Sequence, residues 1–242
     1  MYHPFSILET LKISWHILKS NFAVIIIFSI VSFVVLGIIG TLIGLFYSPD
    51  DFAESMALFF IEVVVQAYTT LGLYKLIFTV IDSEFYEFEF KQVLPSFRML
   101  YSYVAVIFLI AFVIADFGFL IARIDNFPNL EVVLKDLAVL VALYFALRIM
   151  FFTTFIVDDK SGPIESVIQS YKLTRGYFLK VLAILGIIIL LIAVPAFISG
   201  FFPLTSILII ITYPFVNIIL VVTYRKLVYS HQDIDDDVTD AI

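Results

Sequence analysis

The stretch Phe22-Ala-Val-Ile-Ile-Ile-Phe-Ser-Ile-Val-Ser-Phe-Val-Val-Leu-Gly-Ile-Ile-Gly-Thr-Leu-Ile-Gly-Leu-Phe46 carries no charge from end to end and is stopped by Ser48-Pro49-Asp50-Asp51. A helix that crosses about 30 Å of hydrocarbon needs roughly 20 consecutive apolar residues. A signal peptide has a core of only about 7 to 15 and a small-residue cleavage site after it; this run is too long and lacks that site. Its surroundings have the same character. Of 242 residues, 62% are hydrophobic, 17% aromatic and only 14% charged, and the mean hydropathy is +1.10. Soluble domains hold about 45–50% apolar and about 25% charged residues, so a water-soluble fold is excluded. With 27 Phe and 13 Tyr against 9 Gly and 8 Pro, so are disorder and collagen.

Five further apolar runs follow, at about Met56–Ile81, Phe97–Ile124, Asp136–Val157, Tyr177–Ser199 and Leu204–Tyr224. All six are expected to be α-helices, because backbone groups in lipid must be satisfied within their own segment. The fold class is therefore an all-α integral membrane protein, its six transmembrane helices arranged as three hairpins. Residues 1–230 form a single polytopic domain. Residues 231–242 form an acidic tail, expected to be disordered, in which Asp233, Asp235, Asp236, Asp237 and Asp240 supply most of the formal charge of −7. Lys and Arg in short loops stay in the cytoplasm. With the N-terminus inside, eleven of them (Lys12, Lys19, Lys75, Lys91, Arg98, Lys160, Lys172, Arg175, Lys180, Arg225 and Lys226) fall on the cytoplasmic side and only Arg123 and Lys135 outside. Both termini are expected in the cytoplasm.

Two segments outside the spans have helical periodicity of their own. Ile164, Val167, Ile168 and Tyr171 fall at i, i+3, i+4 and i+7, opposite Glu165, Ser166, Gln169, Ser170 and Lys172. Ile7, Leu8, Leu11, Trp15 and Leu18 form a similar stripe. Such basic amphipathic helices beside a span read as interfacial. At an offset of 156, Glu9, Thr10, Leu11, Ser14, Trp15, Ile17, Lys19 and Phe22 match Glu165, Ser166, Val167, Ser170, Tyr171, Leu173, Arg175 and Phe178. A weaker copy at an offset of 82 places Ser14, Trp15, His16, Leu18 and Ser20 on Ser96, Phe97, Arg98, Leu100 and Ser102. The pattern suggests three units starting near residues 5, 87 and 161, each an interfacial helix and a hairpin. Convergence on a common pre-span composition accounts for it equally well.

The run Asp158-Asp159-Lys160-Ser161-Gly162-Pro163-Ile164-Glu165-Ser166, with Ser170-Tyr171-Lys172-Leu173-Thr174-Arg175-Gly176 after it, resembles the signature before the fifth span of bacterial six-helix proteins grouped as the glycerophosphoryl diester phosphodiesterase membrane-domain family and its uncharacterised relatives. Tyr213-Pro214-Phe215, Tyr224-Arg225 and the Trp15 helix are similar to that family as well. The resemblance implies a bacterial inner-membrane protein. It implies no phosphodiesterase activity, because that chemistry belongs to a separate soluble barrel which this sequence does not contain.

No catalytic constellation emerges. Cys is absent, which removes thiolate metal sites and cysteine nucleophiles. The three histidines, His3, His16 and His231, all lie at cytoplasmic ends, so no intramembrane pair is available to a metal. Phosphate loops and a Gly-x-Ser-x-Gly elbow are missing. No metal, cofactor or enzymatic activity is expected. Gly37, Gly40 and Gly44 are spaced for close helix packing. Ionisable and polar residues within spans are functional candidates by default, and here they are Glu62, Gln66, Asp116, Arg148 and Asn217. Depth counting places Arg148 within reach of Glu62 and Asp116, so an intramembrane charge cluster is expected. Asp158-Asp159 at a membrane edge reads as solvated or capping. A membrane scaffold or accessory protein is the leading expectation. A small transporter or lipid-handling protein using the cluster as its path is the alternative. Membrane lipids and another membrane or cytoplasmic protein are the expected partners, and nucleic acid is not.

Overall fold

The structure is a computed structural model, and it describes residues 6–46, 52–82, 90–123, 128–200 and 207–239. The described residues are helical, with no strand: α1 (Ile7–Ser20), α2 (Phe22–Phe46), α3 (Phe52–Asp82), α4 (Phe97–Ala122), α5 (Pro128–Ile149), α6 (Phe152–Asp158), α7 (Pro163–Leu173), α8 (Phe178–Ser199) and α9 (Leu208–Thr239). Six helical stretches are long and apolar enough to cross a membrane: α2, α3, α4, α5 with α6, α8 and the Leu208–Ser230 part of α9. Six crossings bring α1, the α3–α4 connection, α6, α7 and the end of α9 to one side, called here the near side.

The buried core lies towards that side. It joins Ile25 of α2, Leu71 to Phe78 of α3, Phe151 and Ile156 around α6, Ile184 of α8, and Ile218 to Leu227 of α9. The far halves carry exposed apolar side chains, among them Val34 and Leu45 of α2, Phe112 and Leu120 of α4, and Phe197 of α8. This asymmetry suits a bilayer, because lipid tails are as apolar as leucine and exposure to them carries no penalty. Gly37, Gly40 and Gly44 lie in this far half, and a Cβ added at any of them would meet open space. Among the described residues, no helix packs on the glycine stripe. Spacing alone announces a flat helix face without saying what covers it.

The two short helices are built in parallel ways. α1 and α2 start at Ile7 and Phe22, α7 and α8 at Pro163 and Phe178. Each short helix turns small hydroxyl side chains inward. Thr10 and Ser14 of α1 and Ser166 and Ser170 of α7 are fully buried, and Thr10 and Ser14 donate to the Ser6 and Thr10 carbonyls of their own helix. The apolar stripe of α7 faces away from the protein, with Ile164 68% exposed and Ile168 and Tyr171 also exposed, while Val167 is half-buried; in α1 Leu8 and Trp15 are exposed and Leu18 is buried in the core. No such helix precedes the third span among the described residues. A 3-10 turn covers Phe90–Gln92, and Ser96 caps α4 by accepting from the Met99 N–H at 3.3 Å. Pro95 and that cap start the helix at Phe97, so the residues matched to the middle copy run straight into the span. Residues 83–89 lie outside the described ones. The C-terminal segment differs from expectation as well, since α9 stays helical through Thr239 and so includes most of the tail expected to be disordered.

The fourth span is broken. α5 ends at Ile149 and α6 begins at Phe152, which leaves backbone groups without helical partners. Ser170 of α7 repairs the gap: its hydroxyl donates to the Arg148 carbonyl at 2.9 Å and accepts from the Phe151 N–H at 3.1 Å. The turn that brings α7 there uses a left-handed Lys160 (φ 54°) and a Glu165 carboxylate accepting from the Gly162 N–H at 3.2 Å. Replacing Ser170 with Ala orphans one donor and one acceptor in a buried setting, at a cost of roughly 1–3 kcal/mol. Ser199→Ala, which removes an exposed hydroxyl bonded only to its own helix, should cost far less. Unfolding midpoints of the two variants in detergent test this difference.

Candidate functional site

Three spans end on the near side in charged residues that meet. α3 ends at Asp82, α6 ends at Asp158, and α9 brings Tyr224 and Arg225 between them. Arg225 donates to both oxygens of Asp82 at 3.0 and 2.7 Å and lies 3.5 Å from Asp158. The Tyr224 hydroxyl donates to Asp158 at 2.9 Å. Aromatic side chains floor the cluster. The Arg225 guanidinium sits 5.1 Å from the Phe78 ring centre, and Tyr224 meets Phe78 and Phe155 edge to face. Beside the cluster opens a cleft of about 370 Å³ lined by Lys75, Phe78, Thr79, Asp82, Gln92, Val157 and Asp158. Lys75 is held at its rim by a 2.7 Å bond to the Leu94 carbonyl. A further ion pair, Lys226 to Glu9 at 2.8 Å, ties α1 to α9.

Asp159 stands next to this cluster. Desolvation, then the negative charges of Asp158 and Glu165, raise its carboxyl above the ordinary value, and Arg225 offsets them only in part. A carboxyl whose pKa is higher in the folded state stabilises the fold at low pH, and that contribution is lost as pH rises through the folded pKa.

The residues expected to form the intramembrane cluster are not brought together. Arg148 ion-pairs with neither Glu62 nor Asp116, both of which are exposed, as is Gln66. Asn217 is buried and donates to the Tyr213 carbonyl of its own helix at 2.8 Å. The reason is axial. α5 starts at Pro128, earlier than the expected Asp136, which puts Arg148 roughly 30 Å along the helix from its far end. By the same rise, Glu62 lies roughly 15 Å and Asp116 roughly 9 Å from theirs. Arg148 is instead at the near side, where it donates to the Thr174 hydroxyl at 2.9 Å and lies 4.2 Å from the Tyr171 ring centre and 5.7 Å from that of Tyr144.

Sequence reasoning passed over Asp82 and gave Asp158, Tyr224 and Arg225 no shared role. The available signal was that each charge stands at the last turn of an apolar run. No group of three His, Asp or Glu side chains suited to a metal occurs among the described residues. Compared with known proteins, the chain matches no family model, no curated protein and no solved structure.

Three outcomes follow from this geometry. Asp158→Ala removes the partner of a buried tyrosine hydroxyl as well as part of an ion pair, and should cost roughly 1–3 kcal/mol. Asp82→Ala, at a carboxylate 54% exposed, should cost at most about 1 kcal/mol. For Asp159→Asn, unfolding in detergent should show a gain in stability at neutral pH that fades as pH falls below the ordinary carboxylate range.

Proposed function

We propose that this chain is a membrane-embedded scaffold or accessory protein rather than an enzyme. The observation that carries this reading is the Asp82–Arg225–Asp158 cluster, in which one guanidinium fastens the near ends of three spans. Its charges serve helix-to-helix attachment, as does Arg148 against α7. The polar residues that a transport path would need to align (Glu62, Gln66, Asp116 and Asn217) stand apart from both. The lipid-handling alternative is favoured by the open cleft at Lys75, Asp82 and Asp158.

On this reading the protein sits in the cytoplasmic membrane of a bacterium with both termini in the cytoplasm, as the excess of Lys and Arg on the near side supports. α7 lies in the membrane interface with its outward apolar stripe among the lipids, and α1 lies there with Leu8 and Trp15 outward. The resemblance of Pro163 to Gly176 to the glycerophosphoryl diester phosphodiesterase membrane-domain family supports placing the chain among its members. The partner is another membrane or cytoplasmic protein.

Because the chain has no native cysteine, single cysteines report sidedness directly. Gly200→Cys should react with an impermeant thiol reagent in intact cells, and Lys172→Cys should react only after the membrane is opened. Ser161, although in the same connection as Lys172, is buried against Gln169 and would be a poor reporter. For function, vesicles containing the purified protein should show no proton flux beyond protein-free controls. Flux abolished by Glu62→Gln or Asp116→Asn would overturn the scaffold reading in favour of transport.

A further inference from the structure

Arg148 is 8% exposed and carries a full positive charge, yet no carboxylate among the described residues pairs with it. A buried charge without a counter-charge is costly even where neutral dipoles surround it. Arg225 shows the contrast, having two carboxylates on one guanidinium. The neighbours of Arg148 are neutral. Thr174 accepts one N–H, two tyrosine rings flank the guanidinium, and the Nε–H, like that of Arg225, is buried with no acceptor. The cover over it is thin, since Tyr144 and Tyr171 are themselves 41% and 42% exposed. Exposed Lys172 and Arg175 flank the same end of α7, so the local field is positive.

We propose that Arg148, Tyr144 and Tyr171 form a binding site for a phosphate oxyanion at the junction of α5, α7 and α8. A phosphate supplies the missing negative charge and several acceptor oxygens. The guanidinium offers a planar fork of donors that matches them, and the two phenols offer hydroxyls. The Tyr171 phenol is already held below its ordinary value by hydrogen bonding from Tyr144 and then from Arg148, as expected where the surroundings favour negative charge. The phosphate comes from a phospholipid headgroup or from solution, and the two sources share this chemistry. The proposal is independent of the scaffold reading, because a scaffold, a transporter and a lipid-handling protein can each hold such an anion.

The test uses the full chain purified in a neutral detergent, with phosphatidylglycerol and inorganic phosphate as separate probes. Bound lipid is counted by native mass spectrometry, and thermal stabilisation is followed for each probe. The wild type should bind at least one probe. Arg148→Gln should bind it at least about tenfold more weakly, as the loss of charge-assisted hydrogen bonds implies, and Arg148→Lys should recover part of the loss. Tyr171→Phe keeps the ring and removes one hydroxyl, and should weaken binding about three- to tenfold. Stabilisation by phosphatidylglycerol and not by inorganic phosphate supports the site and assigns the anion to lipid. The reverse supports it and assigns a soluble ligand. Absence of binding by the wild type, or affinity left unchanged in Arg148→Gln, overturns the proposal. If Arg148→Gln fails to fold, unchanged affinity in both Tyr171→Phe and Tyr144→Phe overturns it instead.

Discussion

The hydroxyl of Ser170, shared between the Arg148 carbonyl and the Phe151 N–H, is the contact on which the near half of the molecule depends. A membrane span can be interrupted only where something other than lipid satisfies the freed backbone groups. Here the partner is a side chain from the helix that follows the span. Its consequences spread from there. Ser170 must lie against the break, so α7 must turn its small, polar face inward and its apolar stripe outward. That places Thr174 at Arg148 and Tyr171 over its guanidinium. It also directs α6 towards α9, where Asp158 meets Tyr224 and Arg225. Remove the hydroxyl, and the reason for α7 to sit there weakens.

The bundle is held differently along its length. On the near side, large apolar side chains interlock with Tyr224 and Phe155, and ion pairs close the ends. On the far side apolar side chains point away from the bundle, with only local contacts such as Phe60 stacked on Phe108. In water such an exposed half would collapse or aggregate. In lipid there is no hydrophobic force to bring it together, so the far half needs no core. Specificity is therefore concentrated where the chain meets a polar environment and hydrogen bonds and charges can be placed.

Apolar length was legible in the sequence, and orientation within the bundle was not. Six predominantly apolar runs of sufficient length lead to six spans, because the cost of leaving backbone groups unsatisfied in hydrocarbon exceeds any competing local preference. The two short segments were legible as helices, since a period of 3.6 survives whatever it packs against, but not in which face they turn inward, because Ser166 and Ser170 of the polar face are buried. Rotation and axial position were harder. Helix α5 begins at Pro128, before its apolar run, so Arg148 lies further along it than the sequence suggested and level with neither Glu62 nor Asp116. Glycine spacing in α2 describes a flat face and is silent on its neighbour. Asp82, Asp158 and Arg225 look individually like ordinary span ends. Only their common depth, which needs the folded chain, turns them into a cluster.

The pairing of α1 with α9, and of the break with α7, sets an order on synthesis. Chains emerge from the N-terminus at about 5–20 residues per second. Ser170 lies 19 residues after Phe151, so the interrupted span waits roughly one to four seconds for its hydroxyl. Helix α1 waits far longer, because Lys226, which pairs with Glu9, is made only with α9. An amphipathic α1 can rest on the membrane surface during that interval without exposing an apolar face to water. When α9 inserts, it supplies Arg225 to two carboxylates already in place and Lys226 to Glu9, so this one span locks α1, α3 and α6 in a single step.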